Sequence, residues 1–193
     1  MDNYTIARIL GESGCRDRFR VLAADELPTG KEKDFRPGDI IIANTDNAGQ
    51  RGTHWVLFFL TNRYILNYFD PLGDCSLEHG TFRQFANRYA TILVTNRNYP
   101  VQFNVYTTGV YSDSCAIHCL YMAVRFCKYR HRHGDHRLPT LTELMQKAYR
   151  KCQLGSDNDE LTITNRNECI ARNYLLKRFI KHSKSIKKLV GCY

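Results

Sequence analysis

The chain has 193 residues, 43% of them hydrophobic, which suits one domain with a buried core, and it contains no repeat or low-complexity tract. Its formal net charge of +9 is unevenly spread: residues 1–124 hold 12 basic and 13 acidic side chains, residues 125–193 hold 16 and 6. This composition excludes a disordered or collagen-like chain, and the longest apolar runs, "WVLFFL" and "CLYMAV", are too short to span a bilayer. The first residues, "MDNYTIARILGESG", carry no secretory signal, so a soluble protein made in the cytosol is expected, with its eight cysteines reduced.

Taken in order, "DNYTIARILGES" reads as a short helix capped by Asp2 and ended by Gly11 to Gly14. The stretch "FRVLAADELPTGKEKDFRPGD" is turn-rich and reads mostly as loop. "DIIIAN" is a compact β-branched strand, followed by the polar loop "NTDNAGQRGT". Two strands come next, residues 54–60 and 64–70, separated by "TNR". A helix is expected over residues 76–89, then the short strands "TILVT" and "VQFNV". "CAIHCLYMAVRFCKY" carries Ala116, Ile117, Leu120, Tyr121, Val124 and Cys127 at helical spacing. Two more helices are expected near residues 141–153 and 165–182. The order predicts an α+β fold over residues 1–193: one domain with a mixed central sheet packed between helices.

Three residues in this layout bear chemistry. With the turn centred on Asn62, antiparallel pairing places His54 opposite Asp70 at the open end of the hairpin. Cβ atoms so paired lie about 4.5–5.5 Å apart, near enough for a carboxylate to orient an imidazole and stabilise its cation. A plain cross-strand ion pair would look the same from this spacing alone. Downstream, "YSDSCAIHCL" sets Ser112, Asp113 and Ser114, all capping types, just before the helix. Cys115 then falls in the first turn, where free amides and the helix dipole favour a thiolate and could hold an oxyanion. Cys119 and Cys127 lie further inside the apolar run and read as core. A thiol, an imidazole and an acid form a nucleophile, a base and an orienting group.

At these residues the sequence resembles the adenovirus-type cysteine endopeptidases, the adenain family, with its relatives in other DNA viruses and virus-like DNA transposons. The resemblance runs from "SGCRDRF" through "IIANTDNAGQRGTHWVLF" and "YFDPLG" to "SDSCAIHCLYMA". It implies an adenain-like fold and a thiol protease that matures virion precursor polypeptides, acting in the virion and host nucleus. His54, Asp70 and Cys115 match the family's catalytic positions, and Trp55 its site-lining tryptophan, a residue type that also serves as ordinary core. Where the family has an oxyanion-donating Gln seven residues before the cysteine, this chain has Thr108. Where it has Gly after the cysteine, this chain has Ala116.

The resemblance also implies DNA as a sequence-independent partner and activator, which the basic C-terminal third supports. Arg125, Lys128, Arg130, Arg132, Lys181, Lys184, Lys187 and Lys188 are the candidate contacts, with a solvated helix face as the ordinary alternative. The cysteine that joins an activating peptide in adenovirus enzymes has no counterpart in "NRNYPVQFNV". The chemistry requires no cofactor. The run "HRHGDHR" lacks the spacing of a zinc site, so no metal is expected. A monomer with no membrane partner completes the expectation. Two other readings stay open: an isopeptidase of ubiquitin-like proteins from the same clan, and a DNA-binding virion protein on a decayed protease scaffold.

Overall fold

The computed structural model describes residues 1–15, 18–29, 35–50, 52–72, 80–94, 115–145, 171 and 174–175. Helix α1 spans Asn3–Leu10. The Asp2 carboxylate accepts the Thr5 amide at 2.7 Å, and this bond, the largest influence on it, holds the Asp2 pKa below the usual aspartate value. Gly11 does not end the helix. Its backbone stays right-handed, and the chain runs on through a wider π-helical turn, Gly11–Cys15, until Gly14 at φ 80° breaks it.

Strand β1, Phe19–Leu22, lies in the stretch expected to be loop. It pairs in parallel with β2, Ile40–Asn44, a long-range pairing that no local pattern announces. Strands β3, Trp55–Asn62, and β4, Ile65–Phe69, form the expected hairpin, and β5, Thr91–Val94, joins β4 in parallel. The sheet is five-stranded and mixed, in the order β1-β2-β3-β4-β5. The hairpin turn differs from expectation in its details. Residues 63 and 64 form it, while Asn62 ends β3 and its Oδ1 accepts the amides of Tyr64 and Ile65 at 2.8 and 3.0 Å.

Both faces of the sheet are covered, which explains why "WVLFFL" is continuously apolar. Trp55, Leu57 and Phe59 face α1 and α3, the latter spanning Cys115–His133. Val56, Phe58 and Leu60 face α2, Gly80–Ala86, and pack with Phe82 and Phe85. Helix α2 stops at Ala86, before the expected Tyr89, and residues 76–79 lie outside the described set. Helix α3 runs one turn past the expected Tyr129. Twelve of its first thirteen residues are buried, Arg125 being the exception, so its first half is a core helix rather than a surface one. The expected strand "VQFNV" lies outside the described residues. Residues 141–145 are helical as expected, as are 171, 174 and 175, while the remainder of those two helices lies outside the described set. Among the described residues no helix is long and apolar enough to cross a membrane.

One expectation about cysteine is corrected here. Cys15 and Cys127 form a disulfide, their Cα atoms 5.4 Å apart, because the π-helical turn carries Cys15 onto α3. Cys115 and Cys119 are free thiols. The bridge joins residues 112 apart in sequence, so it constrains the unfolded chain strongly. Cys15→Ala/Cys127→Ala should lower the unfolding free energy by about 2–5 kcal/mol. Urea denaturation of the variant beside oxidised wild type measures this.

Candidate active site

The end of the hairpin opposite its turn presents His54, one residue before β3, and Asp70, one residue after β4. Their register is not the expected one. Leu57 pairs with Phe69 and Phe58 with Tyr68, and an irregularity lies between Leu60 and Asn62. Carried one residue further, this register sets Asp70 opposite Val56, with His54 two residues along on the diagonal. A two-residue shift preserves side-chain facing, and diagonal neighbours remain within reach of long side chains. The contact therefore forms: His54 Nε2 lies 2.8 Å from Asp70 Oδ1.

Asp70 is 1% exposed, and its carboxylate is well supplied with donors. The Leu72 amide donates to Oδ1 at 2.9 Å and the Tyr68 hydroxyl to Oδ2 at 3.3 Å. These bonds fix the carboxylate so that it in turn fixes the ring. With Nε2 held by Asp70, Nδ1 is the nitrogen left for the third residue. Cys115, the first residue of α3 and 6% exposed, lies beside the same imidazole, near enough for its charge to act on the ring. Burial acts to depress the His54 pKa. The hydrogen bond to Asp70 and the interaction with Cys115, with the negative charges of both, outweigh it and raise the pKa from 6.5 to about 9. The ring is thus cationic at neutral pH, the state needed beside a thiolate.

Cys119 lies in the core, as read from sequence, and also bonds to the backbone beside the site. Its thiol donates to the Trp55 carbonyl at 3.3 Å, tying α3 to the start of β3 one residue from His54. Burial first, then the charges of Cys115 and Asp70, push the Cys119 pKa well up, so it stays a neutral donor. Trp55 is 4% exposed and packs in the core cluster that contains Cys115. Sequence reading misses Cys119, Tyr68 and the Leu72 amide. Only the placement of Cys119 one helical turn after Cys115 could have signalled any of them.

The loop that delivers His54 is braced by its own polar groups. The Thr45 amide donates to the His54 carbonyl at 3.0 Å, and the Thr53 hydroxyl to Asp46 Oδ2 at 2.8 Å. Gly52 has φ 72°, and a Cβ there would run into the buried Asn44 side chain. Asn44 is itself held, since its Oδ1 accepts the Asp46 amide at 2.9 Å. Gly52→Ala should therefore destabilise the fold by about 1–3 kcal/mol and displace His54, two residues on. A lowered thermal midpoint together with a lowered reactivity of Cys115 toward iodoacetamide would show both effects.

Thr108, the oxyanion candidate, lies outside the described residues, as do the capping residues 112–114 and Lys181, Lys184, Lys187 and Lys188. The other basic candidates divide between two faces of α3. Arg125, Lys128 and Arg132 line one pocket. Arg130 turns to the opposite side, where it donates to the Gly38 carbonyl at 2.7 Å and lies 3.7 Å from Asp135. Among the described residues no three His, Cys, Asp or Glu side chains gather into a metal-binding group. Compared with known proteins, the chain matches no family model and no curated protein.

Proposed function

We propose that the chain is a cysteine endopeptidase whose nucleophile is Cys115. The observation that carries this reading is a single imidazole, His54, hydrogen-bonded to a buried carboxylate and set beside a thiol at a helix start. Cys115 sulfur attacks the carbonyl carbon of a peptide bond, and the developing oxyanion is met by first-turn amides of α3, which have no partner within the helix. Thr108 is the side chain proposed to assist them. His54 then delivers its proton to the departing amine as the C–N bond breaks, leaving a thioester on Cys115. Water adds to the thioester, His54 takes its proton, and the C–S bond breaks to release the acid and the free enzyme. Asp70 holds the ring in one tautomer throughout.

The substrates in this proposal are virion precursor polypeptides of a DNA virus or virus-like transposon, cut in the virion or host nucleus. DNA is the proposed sequence-independent activator. The charge excess of residues 125–193 and the shared face of Arg125, Lys128 and Arg132 support it. The test incubates the protein with candidate virion precursors, with and without double-stranded DNA, beside Cys115→Ala. Cleavage by wild type that the variant lacks supports the reading. Equal processing by both, or none by either, overturns it.

A further inference from the structure

Helix α3 leaves the core after Cys127, and one of its faces becomes basic. Arg125, Lys128 and Arg132 recur there at helical spacing and line a pocket of about 270 Å³ with Tyr129, His133, Leu144 and Tyr174, the His133 ring 4.4 Å from that of Tyr129. At 1.5 Å of rise per residue, the pocket lies about 15–25 Å along the helix from Cys115, so it is separate from the His54 site. Among the described residues no carboxylate lines it. Three permanent cations around one concavity repel each other, and a bound anion would remove that cost.

The ordinary reason for bases near a helix end is to complement its negative pole. That reason covers Arg132 in the last turn, but the effect fades within one turn and does not reach Arg125 or Lys128. Arg125 is also held in place: its guanidinium lies over the Tyr121 ring, 5.2 Å from the centroid, and donates to the Tyr121 hydroxyl. Tyr174 packs edge-on against that same Tyr121 ring at 5.2 Å. The pocket thus combines a cationic rim with an aromatic and aliphatic floor, Leu144 being 1% exposed. An inorganic anion would use the rim alone. A ligand that is charged at one end and planar at the other uses both.

We propose that this pocket binds a nucleoside phosphate, with its phosphates on Arg125, Lys128 and Arg132 and its base against Tyr129. The same chemistry is offered by a free nucleotide or by one nucleotide of a nucleic-acid strand. This differs from the sequence-independent DNA contact proposed above, which needs only backbone charge, and it does not depend on the protease reading.

The test is calorimetric titration of the intact chain with ATP, inorganic tripolyphosphate and a ten-residue oligothymidylate. ATP should bind at least fivefold more tightly than tripolyphosphate. Lys128→Ala and Arg132→Ala, both at exposed positions, should each weaken ATP at least tenfold. Tyr129→Ala should weaken ATP at least fivefold while leaving tripolyphosphate unchanged. Arg63→Ala, which removes an exposed cation from the hairpin turn, should change nothing. If the oligonucleotide competes with ATP and depends on Tyr129, the natural source is a strand. If ATP binds and the oligonucleotide does not, the source is a free nucleotide. The proposal is overturned by equal affinity for ATP and tripolyphosphate, by ATP binding indifferent to Lys128, Arg132 and Tyr129, by oligonucleotide binding that ignores Tyr129, or by no binding of ATP and oligonucleotide alike.

Discussion

Asp70→Asn is expected to lower kcat/KM for peptide cleavage by roughly 10²- to 10⁴-fold, the range over which positioned acid–base groups act. The substitution isolates charge from shape. The carbonyl oxygen of the introduced amide can still accept from the Leu72 amide and from His54, and its NH₂ can face the Tyr68 hydroxyl, which can accept. The pocket stays satisfied and the fold should persist. What disappears is the negative charge that helps raise His54 to about 9. In wild type, activity should fall as the imidazolium is lost near pH 9. In the variant the falling limb should move to lower pH. The same linkage gives a stability signature. A histidine raised above its unfolded value stabilises the native state fully below about pH 6.5, and that contribution is lost as pH rises through about 9. Urea midpoints measured across this window should decline with pH in wild type and less so in the variant. A pH–rate profile with no alkaline limb, or a variant with an unchanged one, would remove His54 and Asp70 from the mechanism.

Cys115→Ser is expected to abolish cleavage to background, the largest single effect, with little change in thermal midpoint. Oxygen replaces sulfur at the same first position of α3, so packing is almost conserved. The chemistry is not: a hydroxyl does not ionise beside an imidazolium as a thiol does, and His54, already protonated at neutral pH, cannot act as base toward it. The companion readout is alkylation. A peptide electrophile should label wild type at Cys115 and leave Cys119 untouched, because Cys119 is fully buried and its elevated pKa keeps it a thiol. Labelling that survives Cys115→Ser, or cleavage that does, would place the nucleophile elsewhere.

Much of this arrangement is readable in the chain. Asp2 capping α1, the apolar strand after His54, the acid at the end of the next strand and the capping-type residues before Cys115 are local signals. Their interactions span a few residues or one hairpin, where side-chain chemistry and backbone geometry suffice. The hairpin shows how far this goes. The turn lies beyond its expected centre and the register is shifted by two, yet His54 and Asp70 meet because such a shift preserves the face.

Tertiary packing decided the rest. It paired β1 with β2, joined Cys15 to Cys127, and brought the head of α3 to His54 by burying its first half between α1 and the sheet. It also separated Arg130, spent on Gly38 and Asp135, from Arg125, Lys128 and Arg132, which charge counting treats alike. The sequence by itself determined which groups carry chemistry and which neighbours orient them. Only the fold determined which of these distant groups meet, because contacts between remote segments depend on how buried surfaces fit together, and no window of residues encodes that fit.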